Sequence, residues 1–283
     1  MINWKEIPKI DAHIHLLPYD VIKENIDCDD PFIKNGDVEE YINLMKKYNI
    51  EHSFIMPFND PYMMSMDFKI ETVHKNLKRM IEKYPLALYC FADIDIRKSI
   101  KDTLEELAKV INYKGFIGIK IHPSNTAYPI DGKYYDQIFK FAEENNILIE
   151  IHSYPREHLK DDLCSPSRIK NVLNKYPNLR VSIAHLGAFQ YKDLIGVNAY
   201  FNISAILPDL VNRFDVIETN KILRQLGVEK LVFATDYPDS RCLKSEEIYD
   251  KYFEILEQMD FTQKEAEDLC KNNVLKMINK SLN

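Results

Sequence analysis

The chain has 283 residues, 46% of them hydrophobic and 29% charged, enough for a large buried core in an ordinary globular protein. A formal net charge of -7 without a basic block excludes binding to nucleic acid by phosphate neutralisation, and no apolar run approaches the ~20 residues of a membrane span. Five scattered cysteines without a CxxC pair (Cys28, Cys90, Cys164, Cys242, Cys270), and a start without the apolar core of a signal peptide, point to reduced thiols in a cytoplasmic protein.

The first predicted strand, "KIDAHIHLL" (9–17), places His13 and His15 at i and i+2, on one side of the strand, with Ile14 facing the other way. Alone, the pair reads either as incidental histidines on an edge strand or as metal ligands. A helix over 37–48 follows behind an Asp37 N-cap. After the second strand, 51–58, comes "NDPYMMSMD", whose Tyr62, Met63, Met64 and Met66 suit an adaptable apolar lid. A helix over 67–84, a strand over 86–94 and a helix over 99–112 lead to "GFIGIKIH" (115–122), where Lys120 and His122 share one direction. Helix 133–146 precedes the strand "ILIEIHS" (147–153), and helix 165–176 precedes "LRVSIAHLG" (179–187). The connection after 187 is short and poorly periodic. Strand 199–206, helix 214–227, the strand "KLVFATDY" (230–237) and helical segments at 244–258 and 262–281 complete the chain.

The strands are largely continuous apolar runs, which suits parallel strands covered on both faces. Eight such strands alternating with helices, without an internal repeat or linker, predict an α/β fold: one (β/α)8 TIM barrel spanning 1–283, with a doubly wound sheet as the alternative. Chemistry in such barrels sits at the C-terminal ends of the strands. His13, His15, His122, His152 and His185 fall at the ends of predicted strands 1, 4, 5 and 6, and Asp236 ends strand 8. Singly, His122 reads as a satisfied core histidine and Asp236 as a turn cap; together they point to a metal. His52 opens strand 2, His74 lies in a helix and His158 in a loop, and these read as structural. Three histidines and one aspartate leave open coordination positions, as a catalytic zinc requires. Such an ion lowers the pKa of water towards ~7, and a neighbouring carboxylate or imidazole then manages the proton.

These pieces resemble the amidohydrolase superfamily, and within it the amidohydrolase-related group that includes the aminocarboxymuconate semialdehyde decarboxylase-like proteins. The matching segments, in order, are "DAHIH", "GIKIHP", "IEIHS", "AHLG" and "FATDYP", with "KNNVLKMI" resembling the family's closing helix. The resemblance implies one divalent ion per chain, zinc by preference, bound by His13, His15 and His152. Asp236 is then the further ligand or the base that takes the water proton. His185 stands near the open position, orienting the activated water and stabilising charge on the substrate. In some branches a carbamylated strand-4 lysine bridges two metals; otherwise Lys120 is a charge paired inside the barrel with Asp236 or Glu150.

Arg97, Arg156, Arg213 and Arg241 follow several strands, and arginine suits carboxylate recognition. Arg156 and Arg241, with Lys120 and His122, are therefore the candidates for holding a small anionic substrate. The sequence favours a metal-dependent hydrolase of an amide, lactone or similar bond. A non-hydrolytic decarboxylase of an unsaturated or aromatic acid is the first alternative and a non-catalytic barrel scaffold the second, which the intact ligand set opposes. No nucleic-acid or membrane partner is expected, and a homodimer is compatible with the sequence.

Overall fold

The structure, a computed structural model, describes residues 2–17, 22–23, 35–57, 69–238 and 245–279. Eight parallel strands pair in chain order: β1 (Lys9–Ile14), β2 (Ile50–Ile55), β3 (Leu88–Ala92), β4 (Phe116–Ile121), β5 (Leu148–Ile151), β6 (Arg180–Ile183), β7 (Tyr200–Asn202) and β8 (Leu231–Val232). The end of β8 returns to β1. Ala12 N–H donates to Phe233 O (3.0 Å), Asp236 N–H to His13 O (2.9 Å) and His15 N–H to Tyr237 O (2.6 Å). This closure makes the fold a (β/α)8 barrel and rules out the open doubly wound sheet.

The helices that cover it are α1 (Val38–Lys47), α2 (Ile70–Lys83), α3 (Ile100–Val110), α4 (Lys133–Glu144), α5 (Pro166–Lys175), α6 (Ile206–Leu226) and α7 (Ser245–Glu257). A closing segment runs through α8 (Gln263–Glu267), a π turn and α9 (Asn273–Ile278). Asp37 caps α1 as expected, its carboxylate accepting the N–H groups of Glu39 (2.8 Å) and Glu40 (3.1 Å). No helix among the described residues is long and apolar enough to cross a membrane.

Alternation along the strands divides two cores. Ile10, Phe54, Tyr89, Phe91, Leu148 and Val232 fill the barrel, and Val274, Met277 and Ile278 of α9 pack onto this set. Residues of opposite parity, such as Ile55, Cys90, Ile119, Ile149 and Ile183, pack against the helices. Gly118 is required inside, because a Cβ there would lie 2.5 Å from Phe91 Cε1.

Two expectations shift. The helix expected from 214 is the second half of α6, which begins at Ile206 and breaks at Asp215 (φ 70°, ψ 173°). Asp215 caps the second half, accepting Glu218 N–H at 2.9 Å, so the periodicity found that half alone. Strands β7 and β8 are shorter than predicted, ending at Asn202 and Val232, although backbone bonds to β1 continue as far as Tyr237. The Met-rich segment after β2 lies outside the described residues.

Candidate metal centre

Three histidines reach the barrel mouth only because the local backbone departs from alternation. At the start of β1, Lys9 and Asp11 face outward: Lys9 Nζ donates to Tyr48 O (2.6 Å), and Asp11 accepts from Tyr249 of α7 (2.7 Å). Strict alternation would send His13 outward too. The β1–β2 register gains one residue on β1 between Asp11 and Ile14, a bulge that turns His13 and His15 inward while Ile14 joins the outer core.

His185 follows Val181 and Ile183, which face the helices. The chain then enters left-handed backbone at His185 (φ 61°), Leu186 (φ 56°) and Gly187 (φ 73°), which swings the imidazole inward. Left-handed backbone costs about 1–2 kcal/mol at each non-glycine residue, so the surroundings must hold it. Asn202 Oδ1 does so, accepting from His185 N–H (3.3 Å), Ser204 N–H (3.3 Å) and Ser204 Oγ–H (2.6 Å). His152, Lys120, Glu150 and Asp236 follow the inward parity of their strands.

The side chains converge. Asp236 Oδ1 lies 3.2 Å from His13 Nε2 and 3.2 Å from His15 Nε2, and His185 Nε2 lies 3.0 Å from His152 Nδ1. His13, His185 and Asp236 each offer a ligand atom, all within 4.8 Å of one another. The His122 ring stacks on His152 at 3.7 Å between centroids.

Hydrogen bonds on the far nitrogens set the tautomers. Glu150 Oε1 lies 3.0 Å from His13 Nδ1 and also accepts from Asn202 Nδ2 (2.6 Å), so His13 donates through Nδ1 and presents the Nε2 lone pair to Asp236. Ser204 O, which can only accept, lies 2.8 Å from His185 Nδ1. His185 therefore donates through Nδ1, and in the tautomer this sets, its Nε2 lone pair faces the site and accepts from His152 Nδ1–H.

Burial, with the Lys120 charge second, holds His13 and His122 well below the ordinary imidazole value. Burial and the neighbouring His122 do the same for His152. Burial pushes the Asp236 carboxyl up, but contact with His15 and the fields of His13 and His185 outweigh it and hold it well below the ordinary carboxylate value. The lowered values of His13, His152 and Asp236 suit a metal site, which takes neutral imidazole and ionised carboxylate. Burial raises Glu150 to about 7, against the opposing Lys120 charge.

The donor set fits a divalent ion. Ligand atoms that each stand ~2.0–2.2 Å from one ion are roughly 3.0–3.5 Å apart, the spacing of Asp236 Oδ1 from His13 Nε2 and from His15 Nε2 (3.2 Å each). Asp236 Oδ1 is buried and makes no hydrogen bond of sound geometry despite two nitrogens at 3.2 Å. A carboxylate oxygen left so is costly unless a cation meets it.

Lys120 Nζ is buried without a hydrogen-bond partner, and neither Asp236 nor Glu150 comes within ion-pair distance, contrary to the pairing expected of a structural lysine. Burial lowers its pKa, while Glu150, Asp236 and Asp93 pull it back up. His122 caps a one-turn helix, its Nδ1 accepting Asn125 N–H (3.2 Å), so it supports His152 rather than facing open space on both edges. Arg156 is 67% exposed and ion-paired with Asp162 at 2.9 Å. Arg97 and Arg213 are likewise held by Asp95 (2.7 Å) and Glu157 (2.7 Å), and Arg241 lies outside the described residues. Arg97, Arg156 and Arg213 are thus already paired with carboxylates, whereas Lys120, among the described residues, is a buried cation at the mouth that has no such partner. His74 is a satisfied core histidine, bonded to Glu106 (3.0 Å) and Asp93 N–H (2.9 Å), and His158 is exposed.

Sequence reasoning missed Asp11, Asn202 and Ser204, and saw Glu150 only as a partner for Lys120. The signal was present in "FNIS", where polar residues alternate inside an otherwise apolar strand that has no reason to bury them unpaired.

The barrel is shared with solved structures at low identity. 2,6-Dihydroxybenzoate decarboxylase from Rhizobium superposes with a TM-score of 0.71 at 12% identity, covering 96% of this chain and 98% of that one. 5-Carboxyvanillate decarboxylase from Novosphingobium aromaticivorans, complexed with manganese, gives 0.70 at 14%, covering 98% and 97%. A protein assigned as a 2-pyrone-4,6-dicarboxylic acid hydrolase from Acinetobacter baumannii gives 0.66 at 14%, covering 96% and 99%. No curated protein matches the sequence significantly. The amidohydrolase family model, however, matches residues 10–279, nearly the whole barrel and every residue of the centre, and the chain belongs to that family.

Proposed function

We propose that the protein is a metal-dependent hydrolase of a small carboxylate-bearing substrate. One divalent ion, zinc by its nitrogen-rich donor set, is held by His13, His15, His152 and Asp236. Bound there, the ion supplies Lewis acidity, polarising the scissile carbonyl and acidifying water. Asp236, whose carboxyl is held well below its ordinary value, takes the proton of the attacking water on the carboxylate oxygen that does not face the ion. His185 orients that water through the Nε2 lone pair that Ser204 fixes. Lys120 binds the substrate carboxylate.

The observation that carries this reading is the buried, unpartnered Lys120 ammonium beside the histidine cluster. A carboxylate held by a fixed cation is stabilised in the ground state, which favours keeping it as a handle and disfavours losing it as carbon dioxide. Decarboxylation is the second reading, supported by the two decarboxylases among the solved relatives, whose 12% and 14% identities establish the fold alone. Incubation of the zinc- or manganese-loaded protein with carboxylated lactones, carboxylated amides and hydroxybenzoates, followed by mass spectrometry, separates the two. Gain of one water supports hydrolysis; loss of carbon dioxide overturns it.

A further inference from the structure

Asp11 is the first residue of the "DAHIH" segment, yet it faces away from the histidines. Its carboxylate sits on the outer wall of the barrel, fully buried between β1, the end of β8 and α7. Four donors converge on it. Oδ1 accepts from His13 N–H (3.3 Å) and Thr235 N–H (3.1 Å), and Oδ2 accepts from Thr235 Oγ–H (2.6 Å) and Tyr249 O–H (2.7 Å).

Two of these donors belong to the backbone next to ligands on different strands. His13 N–H lies in the bulge that turns the first imidazole inward, and Thr235 immediately precedes Asp236. Thr235 Oγ1 in turn accepts Tyr237 N–H (3.2 Å), so one side chain spans Asp236, whose own backbone is left-handed (φ 68°). Asp11 therefore ties together the two backbone distortions that aim His13 and Asp236 at each other. Tyr249 carries the tie on to Tyr41 O–H (3.0 Å) and from there to Ser53 Oγ (2.7 Å), on the helix side of the wall.

We infer that Asp11 is a positioning residue that sets the separation of His13 and Asp236 from behind the barrel wall, and so sets the affinity for the metal without touching it. The inference rests on the metal-binding reading above. Its test uses the full chain, with zinc alone as the probe: the dissociation constant by chelator competition, and the melting temperature of the metal-free protein. Three variants are compared with the parent. Asp11→Asn keeps the shape but replaces acceptor Oδ2 with a donor group. Tyr249→Phe removes one donor to Asp11, together with the bond to Tyr41, and leaves the carboxylate in place. Ser53→Ala perturbs the far end of the same network without touching Asp11.

Asp11→Asn is expected to weaken zinc binding by the ~10–100-fold typical of a lost outer partner. Tyr249→Phe should weaken it several-fold, and Ser53→Ala should leave it unchanged even where it lowers the melting temperature. Equal affinity in a folded Asp11→Asn protein, or an equal loss in Ser53→Ala, overturns the inference. Should Asp11→Asn fail to fold, unchanged affinity in Tyr249→Phe overturns it instead. A parent chain that takes up no zinc contradicts the metal reading itself, a result distinct from either.

Discussion

At the scale of single residues, His185 is the side chain whose role is most open to measurement, because it shares a cluster of ligand atoms with His13 and Asp236 and yet bonds His152. If His152 holds the ion and His185 orients water, His185→Ala should retain stoichiometric metal and lose ~10²–10⁴-fold in turnover. Metal content by elemental analysis, read beside kcat, decides this; metal lost along with activity moves His185 into the coordination shell. Lys120→Met should raise KM for a carboxylate substrate far more than it lowers kcat, since the lysine binds a group that does not react. An unchanged KM contradicts its assignment. His152 and Asp236 were legible because they keep the inward parity of their strands. The strand-end positions of His13, His15 and His185 were equally legible, but their routes into the site were not: a bulge and a left-handed turn leave no periodic trace. The ion pair of Arg156 was not legible, for a different reason. Its neutralising partner, Asp162, is brought to it by a loop whose path no pattern specifies.

At the scale of elements, the turn after β6 carries the most strain and should be the most sensitive to substitution. Gly187 has φ 73°, and a Cβ there would lie 2.7 Å from Leu194 Cδ1 and 2.8 Å from Pro166 Cγ. Gly187→Ala should cost ~2–4 kcal/mol in urea unfolding, about 1 from the backbone and the rest from the crowding. A loss below ~1 kcal/mol means that the turn relaxes. The packing of α2 against α3 makes a second prediction, through His74. Burial lowers its pKa below 6.5 although Glu106 pulls it up. The unfolded chain then binds a proton below about pH 6.5 that the native chain refuses, so this contribution to stability is full above that pH and is lost as the pH falls. The slope is at most ~1.4 kcal/mol per pH unit. Relative to His74→Gln, the parent should lose stability between pH 7 and pH 5.5; parallel pH profiles would show that His74 titrates normally.

At the scale of the whole molecule, the barrel separates chemistry from support. Its C-terminal mouth gathers five histidines, Asp236, Glu150 and Lys120, while α9 packs onto the inner core at the opposite end and Lys9, outside the wall, donates to carbonyls of Lys5, Ile7 and Tyr48. The architecture was readable because eight apolar strands and their helices repeat one rhythm, and the mouth was readable because histidine is scarce elsewhere. The outer latch at Asp11 was not, since nothing in "IDAHIH" marks where the parity changes. The account as a whole stands on a divalent ion at this mouth. Elemental analysis of protein purified without chelator, for the parent and for a His13→Ala, His15→Ala double variant, tests it most directly. The account predicts one divalent ion per chain in the parent and none in the variant; equal metal content in both would contradict it.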